Sequence, residues 1–491
     1  MKILKKEKNS IQIICFPEDV EIQKGDYLIA EEGNGKYALL QVIDVNYVQT
    51  PGILEDLLRT MSLEKIDTNL IDPFDTNSFM LLIKDARIVS TKIRAIAEGD
   101  NLIFGSSWLP SRFKSFIRKA DIDTLYRLIK VDGYRKINIG KVSGQDFYIN
   151  AEAFDGRLTI ITGKKETGKS HIAKIIVSSL VEYGAKCIVF DINGEYVNLN
   201  KNKLGEPNKL ANKIKILIPG ENFKVTIKDA GLKVLLDVLE YVYNTPGTSC
   251  REFARIWHTI EHKRMSLTID DLIEFIQKAS IHESVRDALI SRMLALKSSR
   301  FFTNNENEAT SLMDEINSID DGTLIIIDMK SLIPITRKIV VEYILSKLGT
   351  LLKDDKIPPI FLLAEEAHLY IRNTYWDDLV TRMRHFGLFP IFVTNQPDSI
   401  PETIYRQADN IFLFNFTNEN DLDFISKASR IDSESIKSIV SQLPPKHCFI
   451  LGYVVGDLPI VVKVRDMDIQ TMGMTKKFFK EKKSILIQKM L

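Results

Sequence analysis

The chain has 491 residues, 45% of them hydrophobic, and its 66 Lys and Arg side chains almost balance its 65 Asp and Glu side chains, for a formal net charge of +1. This length allows several sizeable cores, and the balanced charge excludes a general basic coat for gripping nucleic acid. Cys15, Cys187, Cys250 and Cys448 lack C-x-x-C spacing, which argues against a disulfide framework or a zinc ribbon. The sequence has no signal-peptide core and no run of about 18 apolar residues, so we expect a cytoplasmic protein without a membrane span.

The predicted elements divide the chain into six regions. Short runs rich in β-branched and aromatic residues come first, and a Lys- and Arg-rich helix is predicted at 113–129. Apolar runs that alternate with helical patterns then predict a parallel sheet, interrupted by a stretch of purely helical spacing. The predicted regions are an N-terminal β-barrel (1–105), a connector (106–146), a first segment of the α/β core (147–230), a helical insertion (231–320), a second segment of the α/β core (321–465) and a basic C-terminal tail (466–491).

The segment GKKETGKS fits the P-loop pattern G-x-x-x-x-G-K-[ST] and lies between a predicted strand and a predicted helix. Its glycines let backbone N–H groups converge on phosphate oxygens, and the helix N-terminus adds partial positive charge. We expect Lys169 to reach the β- and γ-phosphates of ATP and the Ser170 hydroxyl to ligate Mg²⁺. The predicted fold class is α/β, a RecA-like P-loop domain with a mostly parallel sheet. The expected nucleotide-binding residues are Gly163, Lys164, Lys165, Glu166, Thr167, Gly168, Lys169, Ser170 and His171.

Two adjacent carboxylates, Glu365 and Glu366, end the apolar run in PIFLLAEEAH and match a Walker B element. Neighbouring acids at a strand end point in different directions, so Glu365 can hold the Mg²⁺ shell while Glu366 orients and deprotonates the attacking water. Asp328, at the end of TLIIIDM, is a rival without a second acid. In FPIFVTNQP, Gln396 is the candidate sensor of the γ-phosphate, and Asn395 is the second choice.

Two further patterns point weakly to other chemistries. Residues 191–194 fit the D-x-x-G motif of GTPases, but Gln396 stands where their base-reading motif has lysine, and an acidic pair has no place in a small GTPase. His258 and His262, with Glu261 between them, fit the H-x-x-E-H pattern of zinc peptidases. Both histidines share one helix face, but no third ligand is evident, so an ordinary amphipathic helix is favoured.

The motifs resemble, in their order, the HerA family of the FtsK-HerA superfamily, hexameric DNA translocases found widely in archaea. The resemblance rests on DGRLTIITGKKETGKS, VFDINGEY, EEAH, RMRHFGLFPIFVTNQPDSIPETI and QADNIFLFNFTNENDLDFI. It covers almost the whole chain, because the β domain, the helical insertion and a closing strand pair in LPPKHCFILGYVVGDLPIVVKV also have counterparts. It implies a hexameric, ATP- and Mg²⁺-dependent double-stranded DNA translocase or helicase that acts with a NurA-type nuclease in DNA end processing and repair.

The resemblance also implies roles for individual residues. Arg384, in RHFG, matches an arginine that acts as a finger on a neighbour's ATP, and Arg157, ahead of the P-loop, matches another interface arginine. Arg382 is a third candidate. Asp191 and Glu195 lie in the D-x-x-G-E-Y element, which supports the nucleotide site. A finger supplied in trans ties hydrolysis to the position of the neighbouring subunit, so it implies an assembly.

Three positions depart from the family pattern. Glu166 stands where the loop has glycine, Leu158 where histidine follows the arginine, and Asn193 where the D-x-x-G-E element has histidine. The charge of Glu166 is expected to weaken nucleotide binding modestly. The departures indicate a divergent paralogue and leave two alternatives open: a related motor for conjugation, genome packaging or antiviral defence, and a nucleotide-dependent scaffold with little translocation. Arg372 is a candidate for a pore loop that contacts DNA.

Overall fold

The computed structural model describes residues 1–469 apart from 8–9, 17–18, 34, 49–85, 100, 106–107, 130–132, 263–266, 320, 372–382 and 429–430. The chain divides into two compact units. The first unit comprises Met1–Ala153, Glu166–Gly168 and Asn410–Arg465, and the second comprises Phe154–Lys165, Lys169–Asp409 and the residues from Asp466 onward. The six-region division drawn from the sequence stays a prediction.

Seven strands precede the first helix that the structure describes, and from residue 159 onward strands and helices are interspersed, as expected of an α/β chain. The strands are β1 (Lys2–Glu7), β2 (Ser10–Cys15), β3 (Tyr27–Glu32), β4 (Lys36–Tyr47), β5 (Arg87–Glu98), β6 (Asn101–Ile103), β7 (Phe116–Lys119), β8 (Lys136–Val142), β9 (Gln145–Asn150), β10 (Thr159–Thr162), β11 (Lys186–Asp191), β12 (Ile214–Leu217), β13 (Thr323–Asp328), β14 (Ile360–Ala364), β15 (Leu388–Thr394), β16 (Asn410–Leu413), β17 (His447–Gly452) and β18 (Ile460–Val464). The helices are α1 (Ile122–Leu128), α2 (Lys169–Glu182), α3 (Ile227–Asp237), α4 (Gly247–His262), α5 (Ile269–Lys278), α6 (Glu283–Ser298), α7 (Leu312–Asn317), α8 (Pro334–Lys353), α9 (Glu402–Tyr405), α10 (Glu419–Ala428) and α11 (Ser433–Val440).

The first unit begins with an antiparallel sheet in the order β1-β2-β5-β4-β3-β7, with β6 paired to β5. Its buried face is lined by apolar side chains such as Ile11, Leu28 and Leu40. The β-rich N-terminus predicted from the sequence is confirmed. The predicted helix at 113–129 is wrong in its first half, because Phe116–Lys119 alternates buried and exposed positions and pairs with β3.

The C-terminal strands of the first unit form an antiparallel set in the order β16-β17-β18-β8-β9. The closing strand pair expected from the sequence is confirmed as β17 and β18. The turn between these strands is tied to the N-terminal sheet, since the Tyr27 hydroxyl and the Gln41 amide both donate to the carbonyl of Pro459, at 2.9 and 2.8 Å. Two hydrogen bonds to one buried carbonyl fix the turn against β3 and β4.

The second unit is built on parallel strands in the order β12-β13-β11-β14-β15-β10. Every residue of β10, β11, β14 and β15 is buried. Their continuous apolar sequences predicted this, because strands covered on both faces need apolar side chains throughout. In a parallel sheet all carboxyl ends lie at one edge, where loops can bring polar side chains together. The P-loop follows β10, the acidic pair follows β14 and the candidate sensor follows β15, so all three lie at that edge.

Helices α3 to α6 occupy the stretch between β12 and β13 in which the sequence shows helical spacing. Helix α5 begins with a capping box, in which Thr268 and Asp271 each bond the other's backbone N–H. Helix α8 is joined to α3 through the Tyr343 hydroxyl, which donates to the Asp229 carboxylate at 2.8 Å. Of the helices that the structure describes, not one has the length and apolar character needed to cross a bilayer.

Candidate active site

The P-loop runs from the end of β10 to the start of α2. Lys169 is buried, and its ammonium group donates to the carbonyl of Lys164 at 2.9 Å. Burial lowers the pKa of Lys169, and the nearby carboxylates of Glu366 and Glu365 oppose this change. Gly168 has φ +120, and a Cβ there would lie 3.1 Å from Cε1 of Phe414, so only glycine fits without strain. The P-loop therefore requires glycine at position 168, and the Lys169 ammonium group is held by a main-chain carbonyl of the same loop.

Glu365 is held by two hydroxyl groups. Its Oε1 accepts a hydrogen bond from the Ser170 hydroxyl at 2.7 Å, and its Oε2 accepts one from the Tyr196 hydroxyl at 2.6 Å. A third hydroxyl, that of Tyr370, donates to the main-chain carbonyl of Glu365 at 2.8 Å. Burial raises the pKa of Glu365 to about 7, although the bonds from Tyr196 and Ser170 act in the opposite direction. The carboxylate is therefore fixed in direction and linked to the P-loop serine.

The residues around Glu365 fit a magnesium ion. Magnesium prefers oxygen ligands and commonly binds proteins through one or two carboxylates together with substrate phosphates. The Ser170 hydroxyl and the Glu365 carboxylate supply two such oxygens side by side. A divalent cation would also compensate the charge of a carboxylate that is 1% exposed. Ser170 and Glu365 remain the candidate metal-binding residues.

Glu366 differs from its neighbour in having an unpaired oxygen. Its backbone is left-handed, with φ 48, and its Oε2 is buried without a hydrogen-bond partner among the described residues. Nδ1 of His368 lies 3.3 Å from this oxygen, outside hydrogen-bonding geometry. Burial raises the pKa of Glu366, opposed by the charges of Lys169 and Lys165. A carboxylate with a free oxygen and a raised pKa suits a general base.

The end of β15 brings Gln396 to the same edge of the sheet. Its side chain is exposed, and its backbone N–H donates to the Thr394 hydroxyl at 3.0 Å. That hydroxyl lies 3.3 Å from Nδ1 of His368. Asn395, the second candidate sensor, has a buried Oδ1 that lacks a hydrogen-bond partner in the stretches of chain that the structure describes. Gln396 is thus the residue with a side chain free to meet a ligand.

The D-x-x-G-E-Y element is organised by its first residue. Asp191 is fully buried and accepts hydrogen bonds from the backbone N–H groups of Glu195 and Tyr196, at 3.0 and 2.8 Å. Burial raises its pKa. Glu195 forms an ion pair with Lys174 of α2 at 3.2 Å. Both carboxylate oxygens of Asp191 accept hydrogen bonds from its own loop, which disfavours a GTPase-type role. Asp328, the rival metal ligand, likewise accepts a hydrogen bond from the nearby N–H of Lys330, at 3.0 Å.

The predicted arginines lie at the opposite edge of the sheet. Arg157 precedes β10 and donates to the carbonyl of Asp155 at 3.1 Å, whereas Arg384 precedes β15 and forms an ion pair with Asp409 at 2.7 Å. Since the P-loop and Gln396 follow these strands, the seven-residue β15 separates Arg384 from its own subunit's nucleotide edge by roughly 20 Å. Arg382 and Arg372 lie outside the described residues.

The residues that fit the zinc-peptidase pattern lie on the exposed surface of an ordinary helix. His258 lies on α4, and its ring nitrogen is 3.3 Å from Glu261, with both side chains more than half exposed. The side chain of His262 lies outside the described residues. Within the ranges that the structure covers, no group of three or more His, Cys, Asp or Glu side chains is arranged to hold a metal ion.

Several contacts at the site were missed by sequence reasoning. Tyr196 closes the D-x-x-G-E-Y element and His368 closes EEAH, so their positions beside candidate catalytic residues could have drawn attention. Thr394 directly precedes the two candidate sensors. Asp409, which pairs with Arg384 and also accepts the N–H of Leu158 at 2.9 Å, is a lone acid without a local signal.

Comparison with known proteins agrees with this geometry. Residues 137–348 match the family described as Helicase HerA, central domain. The chain resembles HerA. It is 23% identical over 384 residues to the DNA double-strand break repair helicase HerA of Saccharolobus solfataricus, which covers 72% of this chain and 73% of the relative. It is also 23% identical over 463 residues to the HerA of Sulfolobus acidocaldarius, over 90% of this chain and 89% of the relative.

A solved structure supports the fold of this HerA-like chain. VirB4 of Thermoanaerobacter pseudethanolicus superposes with a TM-score of 0.54 at 13% identity, over 69% of this chain and 98% of that one. The predicted resemblance to the HerA family, the α/β P-loop fold class and the ATPase class of enzyme are confirmed. The roles assigned to individual residues stay predictions.

Proposed function

We propose that this chain is an ATP-driven translocase or helicase on double-stranded DNA, working as a homo-hexamer with a NurA-type nuclease in DNA end processing. The observation that carries the proposal is the contact between the Ser170 hydroxyl and Glu365, 2.7 Å apart, with Glu366 next in the chain. The DNA substrate is supported by the HerA relatives, which are described as DNA double-strand break repair helicases. The proposed setting is cytoplasmic.

The site residues divide the hydrolysis of ATP among themselves. Lys169 exchanges the Lys164 carbonyl for phosphate oxygens, and the P-loop N–H groups from Gly163 to His171 orient the phosphates. Ser170 and Glu365 would hold Mg²⁺, which would supply positive charge beside the phosphates. Glu366 accepts the proton of the attacking water, and Gln396 senses the γ-phosphate.

Two arginines support the proposed ring. Arg157 and Arg384 precede their strands and therefore lie at the edge away from their own P-loop. A cation that stabilises charge on the transferring phosphoryl group must be close to it, so these arginines can serve only a neighbouring subunit's nucleotide. Arg384 would leave Asp409, its partner at 2.7 Å, when it engages the neighbour.

The first experiment is ATP hydrolysis by the purified protein with and without linear duplex DNA. We expect strong stimulation by DNA in the wild type and its loss in Lys169→Ala and Glu366→Gln. Hydrolysis indifferent to DNA would contradict the DNA substrate, and absence of hydrolysis would contradict the motor.

A mixing experiment tests the ring. Subunits with Lys169→Ala and subunits with Arg384→Ala should each be inactive alone but regain activity when mixed, since one mixed interface pairs an intact P-loop with an intact arginine. Arg406→Ala is the control, because Arg406 directly follows α9 and forms an exposed ion pair with Glu402 at the start of that helix. No recovery on mixing, with mixed assembly shown by mass measurement, would contradict a finger in trans.

The alternatives from the sequence remain distinguishable. A motor for conjugation, genome packaging or antiviral defence would hydrolyse ATP in response to DNA without a nuclease partner. A scaffold with little translocation is favoured by one observation, the left-handed Glu166 with φ 63 in the P-loop. A scaffold would bind ATP and assemble, but DNA would not raise its rate of hydrolysis.

A further inference from the structure

A series of polar contacts connects the candidate sensor with the candidate base. Thr394 Oγ1 accepts from the Gln396 N–H at 3.0 Å and donates to the Gln396 carbonyl at 3.2 Å. The same hydroxyl lies 3.3 Å from Nδ1 of His368, and that nitrogen lies 3.3 Å from Oε2 of Glu366. Thr394 is fully buried, and the His368 and Glu366 side chains are only 10% and 20% exposed, so water competes little for these contacts.

The Thr394 hydroxyl has one hydrogen and two candidate acceptors for it, the Gln396 carbonyl at 3.2 Å and Nδ1 of His368 at 3.3 Å. The Gln396 carbonyl also accepts from the Ser399 hydroxyl at 2.6 Å. When the Thr394 hydrogen goes to the Gln396 carbonyl, Nδ1 of His368 carries the hydrogen of the contact between His368 and Thr394. The alternative acceptor for it is Oε2 of Glu366, which has no hydrogen-bond partner among the described residues.

We propose that His368 is a positioning residue for ATP hydrolysis, whose Nδ1–H changes its acceptor from Thr394 to Glu366 when the Gln396 loop engages nucleotide. Movement of Gln396 releases the Thr394 hydroxyl, which can then turn its own hydrogen elsewhere. The His368 hydrogen, which stays on Nδ1 throughout, then bonds Oε2 of Glu366 and fixes that carboxylate. The proposal rests on the proposed function, because Glu366 and Gln396 receive their roles there.

Matched substitutions separate positioning from folding. His368→Ala and Thr394→Val remove the donor and the hydroxyl, whereas His368→Asn retains an N–H donor near the Nδ1 position and Thr394→Ser retains the hydroxyl. We expect kcat for ATP hydrolysis without DNA to fall about 10- to 100-fold in His368→Ala and to recover largely in His368→Asn. Thr394→Val removes only the resting acceptor, so its kcat should stay close to that of the wild type and of Thr394→Ser. Binding of a fluorescent ATP analogue should change by less than about twofold in all four.

His258→Ala is the control, since His258 is an exposed histidine on α4, and it should match the wild type. The double variant His368→Ala with Gln396→Ala should lose no more activity than the worse single variant, because both act through one series of contacts. Wild-type kcat in His368→Ala, an equal loss in His368→Asn, or fully additive losses would each overturn the proposal.

A spectroscopic measurement tests the same contacts without turnover. In ¹⁵N-histidine-labelled protein, the His368 signal is identified by its loss in His368→Asn, and its ¹⁵N shifts should show hydrogen on Nδ1. A non-hydrolysable ATP analogue with Mg²⁺ should shift this signal in the wild type but not in Thr394→Val. Hydrogen on Nε2 instead would overturn the proposal. Neither readout uses DNA, so hydrolysis that ignores DNA would refute the proposed function while leaving these results to decide the role of His368.

Discussion

Replacing Tyr196 with phenylalanine is the sharpest test of how the site holds Mg²⁺. The change removes one hydroxyl, which donates to Oε2 of Glu365 at 2.6 Å in a fully buried pair. A hydrogen bond to a charged acceptor contributes about 1.5–3 kcal/mol. Partners behind a metal ligand alter metal affinity roughly 10- to 100-fold when they are removed. Tyr196→Phe should therefore raise the Mg²⁺ concentration for half-maximal hydrolysis about tenfold.

The pH dependence of this effect follows from the pKa of Glu365, which burial raises to about 7. Loss of the Tyr196 donor disfavours the carboxylate, and a rise of one pKa unit corresponds to about 1.4 kcal/mol. The ionised fraction of Glu365 near neutral pH should therefore be smaller in Tyr196→Phe than in the wild type. Metal binding requires the ionised form, so the defect should be largest near neutral pH and should shrink as the pH rises to about 9.

Tyr370→Phe is the matched control. Its phenol is equally buried and donates to the main-chain carbonyl of Glu365 at 2.8 Å, not to the carboxylate. Both substitutions should lower the free energy of unfolding, but only Tyr196→Phe should change the Mg²⁺ requirement. The assay is ATP hydrolysis against Mg²⁺ concentration at several pH values. Equal Mg²⁺ dependence in the wild type and Tyr196→Phe at pH 7 would refute the reasoning.

Two further substitutions address the loop and the first unit. Glu166 has φ 63, which costs a residue with a side chain roughly 1–2 kcal/mol, so Glu166→Gly should raise the free energy of unfolding by about 1 kcal/mol relative to Glu166→Ala. Both substitutions remove the charge, so both should tighten binding of a fluorescent ATP analogue modestly and to a similar extent. Arg94 donates to Asp432 at 2.9 Å and to Ser435 at 2.6 Å. Burial alone would raise the pKa of Asp432, but the hydrogen bonds that Asp432 accepts from Arg94 and Ser435 hold this pKa below its ordinary value of 3.8. A carboxyl group whose pKa is lowered in the folded state stabilises the fold above pH 3.8, and this stabilisation is lost as the pH falls. Arg94→Ala should therefore lower the free energy of unfolding by roughly 1–2 kcal/mol at pH 7 and by less in acid. An equal loss at both pH values would contradict this account.

The sequence predicted well which polar residues lie at the carboxyl edge of the parallel sheet, because parallel strands leave strong local signals. Continuous apolar runs placed β10, β14 and β15, and polar residues at their carboxyl ends had to meet at one edge. The prediction of a helix at 113–129 was wrong for Phe116–Lys119, because these four residues form a strand that pairs with β3, which is distant in sequence. The local sequence predicted a helix there, whereas pairing with a distant strand determines the observed structure.

Long-range side-chain contacts were beyond sequence reasoning. Asp409 binds Arg384 and the N–H of Leu158, and neither partner is near it in sequence. The pattern identified Arg384 as a candidate finger but could not show that its guanidinium is paired within its own subunit. In the proposed ring, engagement of a neighbour must overcome this ion pair, whose side chains are 24% and 31% exposed and which costs about 1 kcal/mol or less to break.

The division of labour between the two acids also depends on tertiary contacts. Glu365 and Glu366 are the same residue type, adjacent, and both at a strand end, so spacing alone cannot assign metal binding to one and proton transfer to the other. The structure distinguishes them by their hydrogen bonds: two hydroxyls satisfy both oxygens of Glu365, whereas Oε2 of Glu366 is unsatisfied within the described chain. A carboxylate whose oxygens are held in place suits a fixed ion, and one with a free oxygen can accept a proton. Tyr196 donates to Oε2 of Glu365 and His368 lies beside Oε2 of Glu366, so the proposed roles predict that Tyr196→Phe raises the Mg²⁺ requirement whereas His368→Ala lowers kcat.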